Sequence, residues 1–170
     1  MPKFEKYGIV DAEIAWPKFF AFNKDTKYHP DGEYSCVATL SKDTKEELVS
    51  SYQIQETRFK DLGNGSYEFK FKRRHKMSED WLLEEPFVFD YEGAKARMEA
   101  EEGGDINDYA HAWEPEQDGL IGNGSKARIK FRVYKGANSP NEMVTLEAVG
   151  ITSLVSYTSG ANAENSRPRF

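Results

Sequence analysis

The chain has 170 residues, a single cysteine and a formal net charge of −6. This length suits one domain with its own core, and a lone cysteine excludes an intramolecular disulfide and gives no sign of an oxidising compartment. The chain start leads into no long apolar run, so the sequence predicts neither a signal peptide nor a membrane span, and we expect a soluble intracellular protein.

The first predicted element is a strand over residues 8–15 that ends near Pro17. Aromatic residues crowd the segment that follows it. Most large aromatic side chains are buried, so we expect the majority of them in the core. We select three as exceptions that are free to stack on bases: Trp16, Phe20 and Tyr28.

A second strand is predicted at residues 34–40, and a helix follows it. Asp43 and Glu46 have the spacing of a capping box, and the apolar stripe after them continues to about Arg58. Gly63-Asn-Gly-Ser66 then predicts a hairpin turn. It opens a strand with aromatic residues on one face and three cations on the other, namely Lys70, Lys72 and Arg74.

The segment from Asp90 to Asp118 carries ten acids against Lys95 and Arg97, a local net charge of −8 that leaves +2 for the remainder. A connection of this length is uncommon in a small domain unless it has a function or structure of its own. We expect an acidic insertion at about 90–119, either a solvated connection or a functional lid over a binding site.

The tetrapeptide Gly-Asn-Gly-Ser recurs at Gly122–Ser125 and opens the most regular strand of the chain. Apolar residues alternate there with cations, and the cationic face ends in an aromatic ring. Its outward residues are Lys126, Arg128, Lys130, Arg132 and Tyr134. On one strand this pattern is typical of a solvated outer face. Because two strands share it, we interpret the cations as contacts to a phosphate backbone and the ring as a base-stacking group.

A last strand is predicted over residues 143–155, with Val144, Leu146 and Ala148 on one side. Several short strands with one mid-chain helix indicate a mainly β protein. We predict a five-stranded antiparallel Greek-key barrel of the oligonucleotide-binding (OB) kind over residues 1–157, with a sandwich as the alternative. Residues 158–170 have almost nothing to bury and are expected to form a disordered tail.

Four stretches resemble one family in their order and turn residues. They are Gly32–Leu40, Gly65–Lys72, Leu120–Tyr134 and Val144–Val149. Their pattern is similar to that of the bacteriophage single-stranded DNA-binding proteins typified by the helix-destabilising replication protein of T-seven-like phages. The most specific part is the Gly-x-Gly-Ser-Lys turn with the strand that follows it.

This resemblance implies an OB-fold, no catalysis, and coating of single-stranded DNA during phage replication, recombination and repair in the cytoplasm of the infected host. It implies contacts with phage DNA polymerase, helicase-primase or recombination proteins, and a homodimer is compatible with it. Family members end in an acidic tail closed by an aromatic residue. Phe170 matches that aromatic and is assigned to partner binding, but Glu164 is the only acid near it, beside Arg167 and Arg169.

Other chemistry finds little support in the sequence. His29, His75 and His111 lie far apart, so no zinc site is indicated, and no phosphate loop or nucleophile elbow is present. We therefore expect no cofactor and no catalytic residue. Two alternatives remain: a virion or assembly protein whose tail docks a partner, and a metal-dependent nuclease built from carboxylates of the acidic segment.

Overall fold

The computed structural model describes residues 2–20, 32–74, 76–78, 81–82, 84–137 and 141–156; for 2–3, 76–78 and 81–82 only the backbone is described. The strands in this part of the chain are β1 (Pro2–Lys18), β2 (Glu33–Ser41), β3 (Lys60–Asp61), β4 (Ser66–Arg74), β5 (Lys76–Ser78), β6 (Trp81–Leu82), β7 (Phe87–Asp90), β8 (Lys126–Gly136) and β9 (Met143–Ser153). The helices are α1 (Lys42–Ser51), α2 (Tyr91–Ala100) and α3 (Pro115–Asp118), with 3₁₀ turns at Glu56–Arg58 and Ile106–Tyr109. None of these helices is long and apolar enough to cross a bilayer.

Seven strands form one sheet in the order β3-β4-β2-β1-β8-β9-β7, and β4 also pairs with β9. The prediction of a mainly β protein is confirmed. The prediction of an antiparallel sheet is wrong, because β4 and β7 both run parallel to β9. Residue alternation predicts that a segment is a strand, but it does not specify the direction of its partner.

The expectation of one helix is also wrong, since the described residues contain three. Two of them lie in the acidic segment. Asp90 caps α2 by accepting the Gly93 N–H at 3.1 Å, and Pro115 begins α3. Only Ala94 of α2 is buried, so this helix has no apolar stripe by which the sequence could reveal it.

The strands β1, β2, β4, β9 and β8 form a closed ring of pairings. Starting at Tyr7 of β1, successive partners are Arg132, Thr145, Lys72 and Ser35, and the path returns to β1 at Lys18. Residues 7 and 18 are eleven positions apart. The strands are therefore steeply tilted, as closure of a small barrel requires, and the end of β1 lies in the same row as Lys72 of β4, with β2 between them.

The core fills the inside of this ring. The inward side of β8 is almost fully buried: Ala127, Ile129, Phe131 and Val133. The Phe131 ring lies 5.4 Å from the Phe71 ring and 5.1 Å from the Tyr52 ring, measured between centroids. The period-2 pattern of β8 is thus explained by burial of one face.

On β9 the inward side is interrupted. The register with β8 shifts between the partners of Lys130 and Phe131. Val144 and Leu146 are buried before the shift and Val149 after it, whereas Ala148 is only half-buried. The expectation that Ala148 shares a face with Val144 and Leu146 is wrong, because a bulge changes which side chains point inward.

The ends of α1 differ from the prediction. Ser41, not Asp43, caps the helix, and its hydroxyl oxygen accepts the Thr44 N–H at 3.2 Å. The helix ends at Ser51 rather than near Arg58, which lies in the following 3₁₀ turn. The helix is therefore short, and Arg58 becomes available at the surface of the ring.

The two Gly-Asn-Gly-Ser turns have different positions. The turn at Gly63–Ser66 joins the paired strands β3 and β4, as expected for a hairpin. The turn at Gly122–Ser125 does not join two paired strands. It leads from the acidic segment into β8 and packs against β1, since the Gly124 N–H donates to the Ile14 oxygen at 2.9 Å.

Candidate nucleic-acid interface

The outward row of β8 is basic, but it lies beside an acidic row on β1. Arg128 is paired with Asp11 in the strand register, whereas Arg132 is paired with Tyr7 and reaches diagonally to Glu5, the register partner of Tyr134. The Arg128 Nε lies 3.3 Å from the Asp11 carboxylate, and an Arg132 nitrogen lies 2.6 Å from the Glu5 carboxylate. Glu13 continues the acidic row opposite Lys126. Much of the positive charge of β8 is therefore neutralised within the sheet.

Aromatic rings accompany the same row. The Arg132 guanidinium lies 4.8 Å from the Tyr134 ring centroid, and Lys130 Nζ lies 5.5 Å from that of Tyr7. Arg128 Nη1 donates to the Tyr91 hydroxyl at 2.8 Å. Because Tyr91 is the first residue of α2, the acidic segment is attached directly to the first half of β8.

The outward row of β4 carries less compensated charge. Lys70 Nζ lies 3.3 Å from the carboxylate of Glu33, whose side chain is buried. Lys72 and Arg74 have no ion-pair partner within the described residues. Unpaired cations at a surface attract anions without first giving up a protein carboxylate, so these two are the better candidates for phosphate contacts.

Lys72 and Arg74 line a cleft of about 410 Å³ between β4 and the start of β9. Its other walls include Arg58, Met143 and Thr145. Met143 is 40% exposed and offers an apolar contact at this point.

Glu142 is an acid in the wall of the cleft, and its carboxylate already has an ion-pair partner and a hydrogen-bond donor within the protein. Its carboxylate lies 3.4 Å from Arg58 Nη1 and accepts the Gln55 N–H at 2.7 Å. Burial by itself raises the pKa of Glu142, but the backbone hydrogen bonds and the Arg58 charge outweigh it and hold the pKa below its ordinary value. Glu142 therefore stays ionised and fixes Arg58 at the edge of the cleft.

The strand pairings place β1 near this cleft. Lys18 pairs with Ser35, and Ser35 pairs with Lys72, so β2 lies between the two cations, and Ser35 itself is buried. We call the exposed and half-buried residues on the two sides of β2 the seam surface: Lys18, Arg58, Lys72, Arg74, Met143 and Thr145. Trp16 lies at its β1 end, in the irregularity between Ala15 and Lys18, and its side chain is 68% exposed.

The structure divides the predicted site residues into groups. Lys72, Arg74 and Trp16 lie on or beside the seam surface, and Lys70 lies next to Lys72 on β4 but is paired with Glu33. The outward residues of β8 lie beyond β9, which separates the two basic strands; these are Lys126, Arg128, Lys130, Arg132 and Tyr134. The two basic strands approach each other most closely in the row Lys72–Thr145–Arg132, where Thr145 of β9 lies between the two cations. Tyr28 and Phe170 lie outside the described residues.

Phe20 takes a different position. It is half-buried, contacts Phe19 edge-to-face at 6.5 Å, and lines a second depression with Trp113 and Phe87. It packs against the core, as most aromatic residues were expected to do.

Sequence reasoning missed Arg58, Lys18 and Tyr7. Arg58 was assigned to the end of a helix, and Lys18 follows a proline that was expected to end the strand. Tyr7 precedes the predicted first strand, although it continues the outward odd-numbered positions of β1. The alternation of β1 continues outside the predicted residues 8–15, with acids at positions 5, 11 and 13, and this pattern could have indicated the longer strand.

The described part of the chain contains no candidate metal-binding site. No group of three or more histidine, cysteine, aspartate or glutamate side chains is placed there to hold an ion.

The same fold occurs in two solved phage proteins. No protein-family model matches the chain, and no curated protein matches it. The structure is similar to gp2.5, a single-stranded DNA binding protein encoded by bacteriophage T7, with a TM-score of 0.52 and 17% identity over 98% of this chain and 97% of that one. It is also similar to the single-stranded DNA-binding protein from bacteriophage Enc34, with a TM-score of 0.50 and 12% identity over 94% and 88% of the two chains. The resemblance to phage single-stranded DNA-binding proteins is thus confirmed at the level of the fold.

Proposed function

We propose that this chain binds and coats single-stranded DNA with little sequence preference, and that the seam surface is its main contact. In this proposal Lys72, Arg74 and Lys18 follow the phosphates, and Trp16 stacks on an unpaired base. Lys126, Lys130 and Tyr134 contact a strand that continues past β9. Arg58, Arg128 and Arg132 contribute less, because Glu142 and the acids on β1 already neutralise them.

The observation that carries the proposal is the pair Lys72 and Arg74. Both cations line a cleft, both lack an ion-pair partner among the described residues, and Arg58, held by Glu142, lines the same cleft. A positively charged groove of this kind can follow a phosphate backbone. An exposed aromatic ring beside it can stack on any base, so such a site has little sequence preference. Shared fold with two DNA-binding phage proteins supports the same conclusion.

The remaining parts of the proposal follow from the family resemblance. We interpret the closed ring as an OB-fold barrel and residues 1–157 as the DNA-binding domain. The protein has no catalytic role in this proposal. It acts in the infected host cytoplasm during replication, recombination and repair, and Phe170 in the tail docks a polymerase, helicase-primase or recombination protein.

A titration with oligothymidine tests the proposal. Three tryptophans report binding by fluorescence, and quenching that weakens steeply with salt is expected. Lys72→Glu with Arg74→Glu should reduce affinity at least tenfold, while Lys42→Glu with Lys95→Glu, the same charge change on α1 and α2, should have a much smaller effect. Full affinity in the β4 variant, or no binding at low salt, would refute the proposal. Incubation of the oligonucleotide with the protein and Mg²⁺ tests the nuclease alternative, and we expect the oligonucleotide to be recovered intact.

A further inference from the structure

Trp16 has an unusual backbone conformation for its residue type. Its φ is +51°, and it precedes Pro17. Bulky residues rarely adopt a positive φ, and a residue before proline prefers an extended conformation with a negative φ. The side chain is 68% exposed, so it gains little from burial. Stability alone would favour glycine here, and strain of this kind is concentrated at functional sites.

One long-range side-chain contact supports this conformation. The Trp16 N–H donates to Asn123 Oδ1 at 2.6 Å, across 107 positions of sequence. The turn that carries Asn123 is itself fixed, because the Ile14 N–H donates to the Ser125 oxygen at 2.8 Å. The Ser125 side chain is fully buried and exchanges hydrogen bonds with the backbone of Val155. The amide of Asn123 is thus presented to Trp16 from a rigid support.

The other copy of the tetrapeptide shows that this contact is not a property of the turn sequence. In Gly63–Ser66, Asn64 Oδ1 accepts the N–H of Ser66, two residues away, at 3.1 Å. Asn64 therefore closes its own turn. Asn123 occupies the equivalent position but reaches a different strand. The two copies provide a natural comparison between a local role and a long-range one.

We propose that Asn123 is a positioning residue that holds the Trp16 indole outward as a stacking platform for an unpaired base. The inference rests on the proposed function, since it specifies how one aromatic residue of the DNA site is kept in place. It also gives the Gly122–Ser125 turn a role that a hairpin does not have. Asn123 itself need not touch the DNA.

Fluorine NMR on protein labelled with 5-fluorotryptophan tests this inference in the full chain. Trp16→Phe assigns one of the three signals. Oligothymidine is expected to shift the Trp16 signal, and Asn123→Ala should move that signal in the free protein and reduce the shift on binding. Affinity should fall about fivefold to a hundredfold, the factor for one stacked base. The salt slope should not change, because no cation is altered.

Three further variants make the result specific. Asn123→Asp keeps an acceptor oxygen and should restore the Trp16 signal. Asn64→Ala is the matched control and should bind as the unaltered protein does. Asn123→Ala in a Trp16→Ala background should bind no more weakly than Trp16→Ala alone. An unchanged Trp16 signal and affinity in Asn123→Ala, or a further loss in the double variant, would overturn the inference and leave the proposed function standing. No binding by the unaltered protein would overturn both.

Discussion

Arg132 and Glu5 form an ion pair of 2.6 Å across the β1–β8 ladder, and both side chains are only partly exposed. The pair changes the interpretation of the most regular strand in the chain. A phosphate that approached Arg132 would have to displace a carboxylate that is covalently part of the neighbouring strand. Lys72 presents no such competitor among the described residues, and this contrast is the reason for placing the main DNA contact on the seam surface.

Gly8 is required by the packing of β1 against the core. A Cβ atom at this position would lie 2.6 Å from the Tyr52 hydroxyl and 2.7 Å from the Phe131 ring. Gly8→Ala should therefore lower the free energy of unfolding by about 1 to 3 kcal/mol, as overpacking does. Urea denaturation measures the change. Gly104→Ala is the control, since nothing lies within 4 Å of its Cβ position, and it should change stability by less than about 0.5 kcal/mol. Equal losses in the two variants would contradict this account of Gly8.

Glu142 should make stability depend on pH in the acid range. Its pKa is lower in the folded protein than its ordinary value of 4.5, so its contribution is present above that value and is lost as pH falls through the folded pKa. Glu142→Gln should be less stable than the unaltered protein at pH 7, and the difference should shrink below pH 4.5. Urea unfolding at pH 7 and at pH 3 measures this, with Glu116→Gln as a surface control. A constant difference would refute the assignment.

Cys36 should be chemically inert in the folded protein. Burial raises the pKa of the Cys36 thiol to about 12, and the side chain is enclosed in the core. The thiolate is the reactive form, so Ellman's reagent should not react in native buffer at pH 8 and should titrate one thiol per chain in urea. Ile9→Cys places a second thiol at a site that is 53% exposed and should react at once. Stoichiometric labelling of the unaltered folded protein would contradict the prediction.

Much of the barrel could be predicted, because burial of one face imposes a period of two on a strand. Ile129 and Phe131 alternate with cations for this reason, and Phe69 and Phe71 do the same on β4. The prediction failed where the chain departs from that period. A bulge shifts Ala148 out of the core on β9.

The candidate site was harder to predict, because it depends on which strands are neighbours. The alternation on β8 identifies its cations, but only the pairing with β1 places Asp11 and Glu5 beside them. The pairing of β2 with both β1 and β4 likewise places Lys18 and Lys72 on either side of Ser35, a relation between distant segments that no local pattern contains. The contact of Asn123 with Trp16 is long-range in the same way.

The salt dependence of oligothymidine binding in two paired variants tests the central claim most directly. For single strands, log affinity changes with log salt by about −0.7 per phosphate neutralised, so Lys72→Ala with Arg74→Ala should reduce the magnitude of the slope by about 1.4. Glu5→Gln with Arg132→Gln removes the ion pair without changing the net charge, and it should leave the slope unchanged. Lys42→Ala with Lys95→Ala controls for the loss of two charges. The opposite ranking, with the slope lost on removing Arg132 and kept without Lys72 and Arg74, would place the DNA on β8 and contradict this account.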